Sequence, residues 1–160
     1  LSTVTTDQRW NGYTIMERVN VDKAIIQGVE LNGQWDINAS VLLKANYTYT
    51  DSEQKSGANK GAPLALTPEQ KANLRTEWSI NDRTQAWASL SYYGEETGNT
   101  ITDEPAPGYT TADLGGSYDV NDALTLNASL NNLTDKRLDD ETYGTVNYGR
   151  TLWMGATYNF

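Results

Sequence analysis

The chain has 160 residues with no cysteine and no histidine, which removes disulfides, thiolate metal sites, the commonest metal ligand and the commonest general base. A formal charge of −9 speaks against nucleic acid, whose recognition needs a basic surface. Hydrophobic residues make up only 38% and the mean hydropathy is −0.64, thin for a globular interior, and no run approaches the roughly eighteen apolar residues of a membrane helix.

In chain order, Leu1 to Arg9 reads as a polar, Thr-rich lead-in. It opens on Leu and carries no charged-then-apolar leader, so a processed protein or a piece of a longer one is expected. Trp10 to Asn20 alternates poorly and reads either as an eighth strand or as the outer extension of the strand that continues through Lys23. From Gly28 onward the chain falls into period-two segments separated by turns. The first places Val29, Leu31, Gly33 and Trp35 on one face. Val41, Leu43, Ala45, Tyr47 and Tyr49 follow, then Leu74, Thr76, Trp78 and Ile80, then Ala86, Ala88, Leu90 and Tyr92. The last three sets are Ala112, Leu114, Gly116 and Tyr118; Leu124, Leu126, Ala128 and Leu130; and Leu152, Met154, Ala156, Tyr158 and Phe160. None of these positions is charged, although 21% of the chain is. The opposite faces take Glu30, Lys44, Arg75, Glu77, Asp113 and Asp119.

A face that excludes charge on every strand is expected to meet hydrocarbon, where Lys or Arg at mid-depth costs about 2–4 kcal/mol. Connection lengths agree. Short Asn- and Asp-rich turns fall near Ile37 to Ala39, Asn81 to Thr84 and Asn121 to Ala123. Long loops alternate with them at about Asp51 to Pro68, Gly94 to Gly108 and Lys136 to Tyr148. Short periplasmic turns with long outer loops predict an all-β fold, a transmembrane antiparallel up-and-down β-barrel in a bacterial outer membrane, with the last strand running toward the periplasm. Trp35, Trp78, Tyr118, Tyr158 and Phe160 then form a lower aromatic belt, and Tyr47, Tyr49, Tyr92 and Tyr109 an upper one. A soluble β-sandwich would alternate too, but would have turns of similar length at both ends.

Several stretches resemble the C-terminal part of TonB-dependent outer-membrane receptors, most closely the ferric-siderophore group that includes ferric-enterobactin receptors. They are VNVDKAIIQGVEL from Val19, YTYTDSEQKSG from Tyr47, PLALTPEQKANL from Pro63, YTTADLGGSYDV from Tyr109, LTLNASLNNLTDKR from Leu124 and GRTLWMGATYNF from Gly149, in order along nearly the whole chain. The resemblance implies a 22-stranded barrel around an N-terminal plug, with a ferric siderophore as the transported ligand, no covalently bound cofactor, and the TonB complex acting through the plug. Residues 1–160 are too few for such a barrel, so the expectation is a C-terminal segment of seven or eight strands without the plug domain. The other arrangement is a self-contained eight-stranded structural barrel without transport, its lumen filled by Asn73, Arg75, Glu77, Ser89, Ser91, Asp113, Asn127 and Asn131. Against it, Gly28, Gly115 and Gly155 suggest a thinly packed interior.

An anionic, aromatic iron chelate would be met by cationic and ring side chains in the long loops. Lys60, Tyr143, Tyr148 and Arg150 are the candidates, with Lys55, Trp10 and Tyr13 at similar height. The lumen charges Arg75, Glu77 and Asp113 are expected to pair with one another or with a plug. By the same resemblance Tyr158 and Phe160 are the signal read by the barrel assembly machinery, and outer-membrane lipid is the remaining partner. Enzyme motifs are not found: Asp135, Asp139, Asp140 and Glu141 lack the Gly and spacing of a calcium loop, and the sequons at Asn38, Asn46, Asn127 and Asn132 reflect composition. No catalytic role is assigned.

Overall fold

A computed structural model of the chain describes residues 2–10, 13–19, 140 and 141 through their backbone, together with residues 23–57, 59–97, 105–138, 142–143 and 148–160. Seven strands form one antiparallel sheet. They are β3 (Ala24–Asn38), β4 (Val41–Gln54), β5 (Gln70–Asn81), β6 (Thr84–Tyr93), β7 (Tyr109–Asp119), β8 (Leu124–Asn131) and β9 (Thr151–Tyr158). Each pairs with the next in sequence, and β3 and β9 stand at opposite edges, so the sheet is up-and-down and open.

Directly opposed residues of an antiparallel pair share a face, so the pairing tests the predicted faces strand by strand. Leu31 lies opposite Tyr47 and Trp35 opposite Leu43. Ala45 meets Leu74, Leu74 meets Leu90, Leu90 meets Ala112, Leu114 meets Leu130 and Ala128 meets Met154. In all six pairings one predicted outward set faces the next.

That face has nothing dry to pack on. Among the described residues only Ala106 and Leu138 are buried apolar side chains, and both lie in connections rather than under the sheet. Leu31, Trp35, Trp78, Leu90, Leu114, Leu126, Leu152 and Met154 all stand open on one side of a single layer. An exposed apolar area this continuous requires a non-aqueous neighbour. None of the described helices is long and apolar enough to cross a membrane.

The short connections share one device. The Asn38 side-chain oxygen accepts the Ser40 N–H at 2.8 Å, that of Asn81 the Arg83 N–H at 2.9 Å, and that of Asn121 the N–H groups of Ala123 and Leu124 at 2.9 and 3.0 Å. The amide imitates a backbone turn, which is why an Asn recurs at each tight reversal.

Three expectations change. Ser2–Trp10 is strand β1, paired with β2 (Tyr13–Val19) in a separate two-stranded sheet, so Ser2 to Arg9 is strand rather than lead-in, and Leu1 lies outside the described residues. Strands β3 and β4 reach up to Ala24 and Gln54, past the predicted limits, because their pairing continues to Ala24 opposite Gln54. Tyr109 lies opposite Tyr93, while the outward Tyr92 lies opposite Thr110; Tyr109 therefore faces inward and leaves the upper belt.

The inner wall and outer loops as a candidate functional site

Residues of the second parity line the inner face. On β4 and β5 the expected pairing of lumen charges is present: Lys44 Nζ donates to Glu77 Oε2 at 2.8 Å and Arg75 Nε donates to Glu77 Oε1 at 2.9 Å. The guanidinium of Arg75 also lies 4.2 Å from the centroid of the Trp87 ring on β6, a cation–π contact. Trp87 lies flat because its cross-strand neighbour is Gly115, where an added Cβ would stand 2.6 Å from the indole. Trp153 covers Gly155, two residues on along its own strand β9. The wall at these glycines is therefore covered by rings rather than thinly packed. Toward the short turns, a concavity of about 320 Å³ is lined by Asp36, Arg75, Glu77, Gln85, Trp87 and Ser117. Toward the long loops, Tyr93 and Tyr109 stack with centroids 5.0 Å apart.

The third lumen charge, Asp113, behaves differently. It accepts the backbone N–H of Asn132 at 2.7 Å and the Ser89 hydroxyl at 3.4 Å. Asn132 follows β8 and is the buried centre of the β8–β9 connection, with φ of 52°. Asn tolerates this left-handed backbone better than most residues. Its Nδ2 donates to the carbonyls of Lys136 at 2.7 Å and Tyr148 at 2.8 Å, and its Oδ1 accepts from the Lys136 N–H and the Thr134 hydroxyl. Asp135 accepts the Arg150 N–H at 2.8 Å and is gripped by the Arg137 guanidinium. These two donors hold its carboxyl below the usual carboxylate range.

The candidate ligand residues fall in two loops. Lys60 is exposed between β4 and β5, its backbone N–H bonded to the Gly57 carbonyl, and Lys55 nearby pairs with Glu53. Tyr143 is half-buried in the short helix α1 (Asp140–Tyr143). Tyr148 is 80% exposed, and Arg150, also exposed, immediately precedes β9 at its loop end. The Arg150 guanidinium already donates to the Leu133 carbonyl at 2.8 Å, so it fastens the loop as well as carrying charge. Tyr158 and Phe160 stack at 6.4 Å on the outward side. The side chains of Trp10, Tyr13, Asp139, Asp140 and Glu141 lie outside the described residues, among which no group of acidic side chains could hold a metal. Sequence reasoning missed Trp87 and Asn132. The first shows itself only through its cross-strand glycine, and the second through bonds to Asp113 and Tyr148, both far from it in the chain.

The family model described as TonB dependent receptor-like, beta-barrel matches residues 1–133. An iron-regulated outer membrane virulence protein of Vibrio cholerae serotype O1 is 39% identical over 153 residues, covering 93% of this chain and 24% of that protein. A ferric enterobactin receptor of Pseudomonas aeruginosa is 31% identical over 165 residues, covering 88% and 22%. The chain thus spans about a quarter of the length of these relatives. Among solved structures, a ferric enterobactin receptor of Pseudomonas aeruginosa in complex with enterobactin aligns over 88% of the chain and 23% of its own, at 25% identity and a TM-score of 0.74. The siderophore receptor of Acinetobacter baumannii aligns over 84% and 22%, at 24% identity and a TM-score of 0.69, a likeness of fold.

Proposed function

We propose, for a chain that belongs to the TonB-dependent receptor β-barrel family, that residues 1–160 are the C-terminal wall segment of an outer-membrane importer of ferric siderophores. The family is one of receptors, and no step of chemistry is needed from these residues. Hydrocarbon bathes the outward set, and the inner wall faces a plug that belongs to the remainder of the receptor. The TonB complex acts through that plug. The observation that carries the reading is the division of one continuous sheet into an uncharged outer face and an inner face bearing Lys44, Arg75, Glu77 and Trp87. Such a sheet suits the wall of a wide barrel with something inside it. An open order from β3 to β9, with the two edge strands apart, supports this against a self-contained small barrel.

In this reading the long loops meet the ferric chelate. Lys60 and Tyr148 are the most accessible of the candidates, while Tyr143 and Arg150 contribute from partly committed positions. Tyr158 and Phe160 present stacked rings at the periplasmic rim for the assembly machinery. The test is growth of an iron-starved deletion strain on ferric enterobactin, restored by the full-length receptor gene. Restoration that disappears when the inner-membrane energising complex is absent supports the proposal. Uptake that needs no such complex, or an iron-independent phenotype, overturns it.

A further inference from the structure

From the bonds that converge on Asn132, we infer that this residue is a positioning residue: it shuts the neck of the β8–β9 loop in advance and so sets how that loop meets a ligand. The inference rests on the uptake reading above. The chain leaves β8 and runs out, and two carbonyls separated along the loop, those of Lys136 and Tyr148, come to the same Asn132 amide nitrogen at 2.7 and 2.8 Å. A second clasp lies beside the first. Asp135, itself at φ 50°, receives the Arg150 N–H, and Arg150 Nη2 returns to the Leu133 carbonyl. Gly149 lies between them, where an added Cβ would stand 2.5 Å from Arg137 Nε and 2.7 Å from Asp135 Oδ1 and so push on this clasp. The neck is anchored to the wall rather than floating. Asp113 on β7 takes the Asn132 N–H, the Leu133 N–H bonds the Ala112 carbonyl at 2.7 Å, and the Thr134 hydroxyl bonds that of Thr110 at 3.2 Å.

Nothing in lipid contact or strand pairing needs this arrangement, because β8 and β9 are already joined from Leu124–Tyr158 to Asn131–Thr151. What it does is fix Tyr148, whose carbonyl Asn132 holds, relative to the inner wall before any ligand arrives. A loop that must close first offers its competent form only part of the time, and its apparent affinity falls by that fraction. The loss then appears in the association rate, whereas removal of a direct ligand contact appears in the dissociation rate.

The test uses the full-length receptor in detergent with ferric enterobactin as the probe. Asn132→Gly keeps the left-handed backbone and deletes the amide; Gly149→Ala pries the second clasp from the other side. Both variants should keep the heat-modifiable migration of a folded barrel, exchange amide hydrogens faster between residues 136 and 149, and bind the probe three- to tenfold more slowly with an unchanged dissociation rate. Unchanged exchange in both variants overturns the neck. Faster exchange with unchanged association, or a change confined to dissociation, overturns the positioning role alone. Failure of the unaltered receptor to bind ferric siderophores overturns the uptake reading and the positioning role together.

Discussion

Leu114 offers the sharpest perturbation of the membrane-facing wall. On β7 it lies four residues from Thr110, which is level with Tyr92 of the upper belt, and four from Tyr118 of the lower belt. At about 3.3 Å per residue it stands some 13 Å along the strand from each, which is the middle of the apolar band. Its opposed neighbours are Ala88 and Leu130, neither of which can pair with a charge. Leu114→Arg should therefore cost about 2–4 kcal/mol, a factor of roughly thirty to a thousand in the folding equilibrium. Ser117→Arg, three residues away but turned inward opposite Gln85 and Asn127, should stay within about 0.5 kcal/mol. Leu114→Ala separates the loss of apolar contact from the cost of the charge. The assay is a urea titration of the full-length receptor folded into lipid vesicles, read by heat-modifiable migration. Equal costs for the arginines at 114 and 117, or the larger cost at 117, would refute the assignment of faces.

Glu77→Gln should cost no more than about 1 kcal/mol in the same titration, because the Lys44–Glu77–Arg75 side chains are each about a third or more exposed and water screens them. Gly115→Val should displace Trp87 and strike the Ala128 carbonyl, which an added Cβ meets at 2.8 Å; lower stability with altered near-ultraviolet circular dichroism is the expected result, and an unchanged spectrum would refute the ring-over-glycine contact. The Asp135 carboxyl is held below its ordinary value, so its grip on the Arg150 N–H is full above the unfolded carboxylate value and is lost as pH falls through the lowered one. Hydrogen exchange at Arg150, corrected for its intrinsic pH dependence, should thus be flat from pH 7 to 5 and rise only below about pH 4.

The faces of the seven strands were readable because hydrocarbon tolerates no charge and a strand's side chains alternate strictly, so each apolar row announces its own register. The same rule places Tyr109 inside, since its parity is that of Asp113 and not of Leu114; treating it as a belt ring departed from the period. Strand β1 was hard to read because STVTTDQRW has no aliphatic row, although Asn11 and Gly12, a strong hairpin pair, stand between Trp10 and Tyr13, which the backbone pairs. The short turns were legible from their Asn residues, since the Asx bond spans only two or three positions. The loop neck was not, because its bonds join Asn132 to Asp113 and Tyr148, and no local pattern announces such distances. For Arg150 the charge was visible, but its engagement with the Leu133 carbonyl became so only in three dimensions.

These 160 residues contain no cysteine, so once any thiol elsewhere in the receptor has been replaced by serine, single cysteines can be placed along β7 without background. Nitroxide labels at residues 111, 112, 113, 114, 117 and 118 of the vesicle-inserted receptor report collisions with oxygen, which concentrates in lipid. High collision rates at 112, 114 and 118 with low rates at 111, 113 and 117 are predicted. A flat profile, or one with the two parities exchanged, would contradict the claim that lipid covers one face of this sheet.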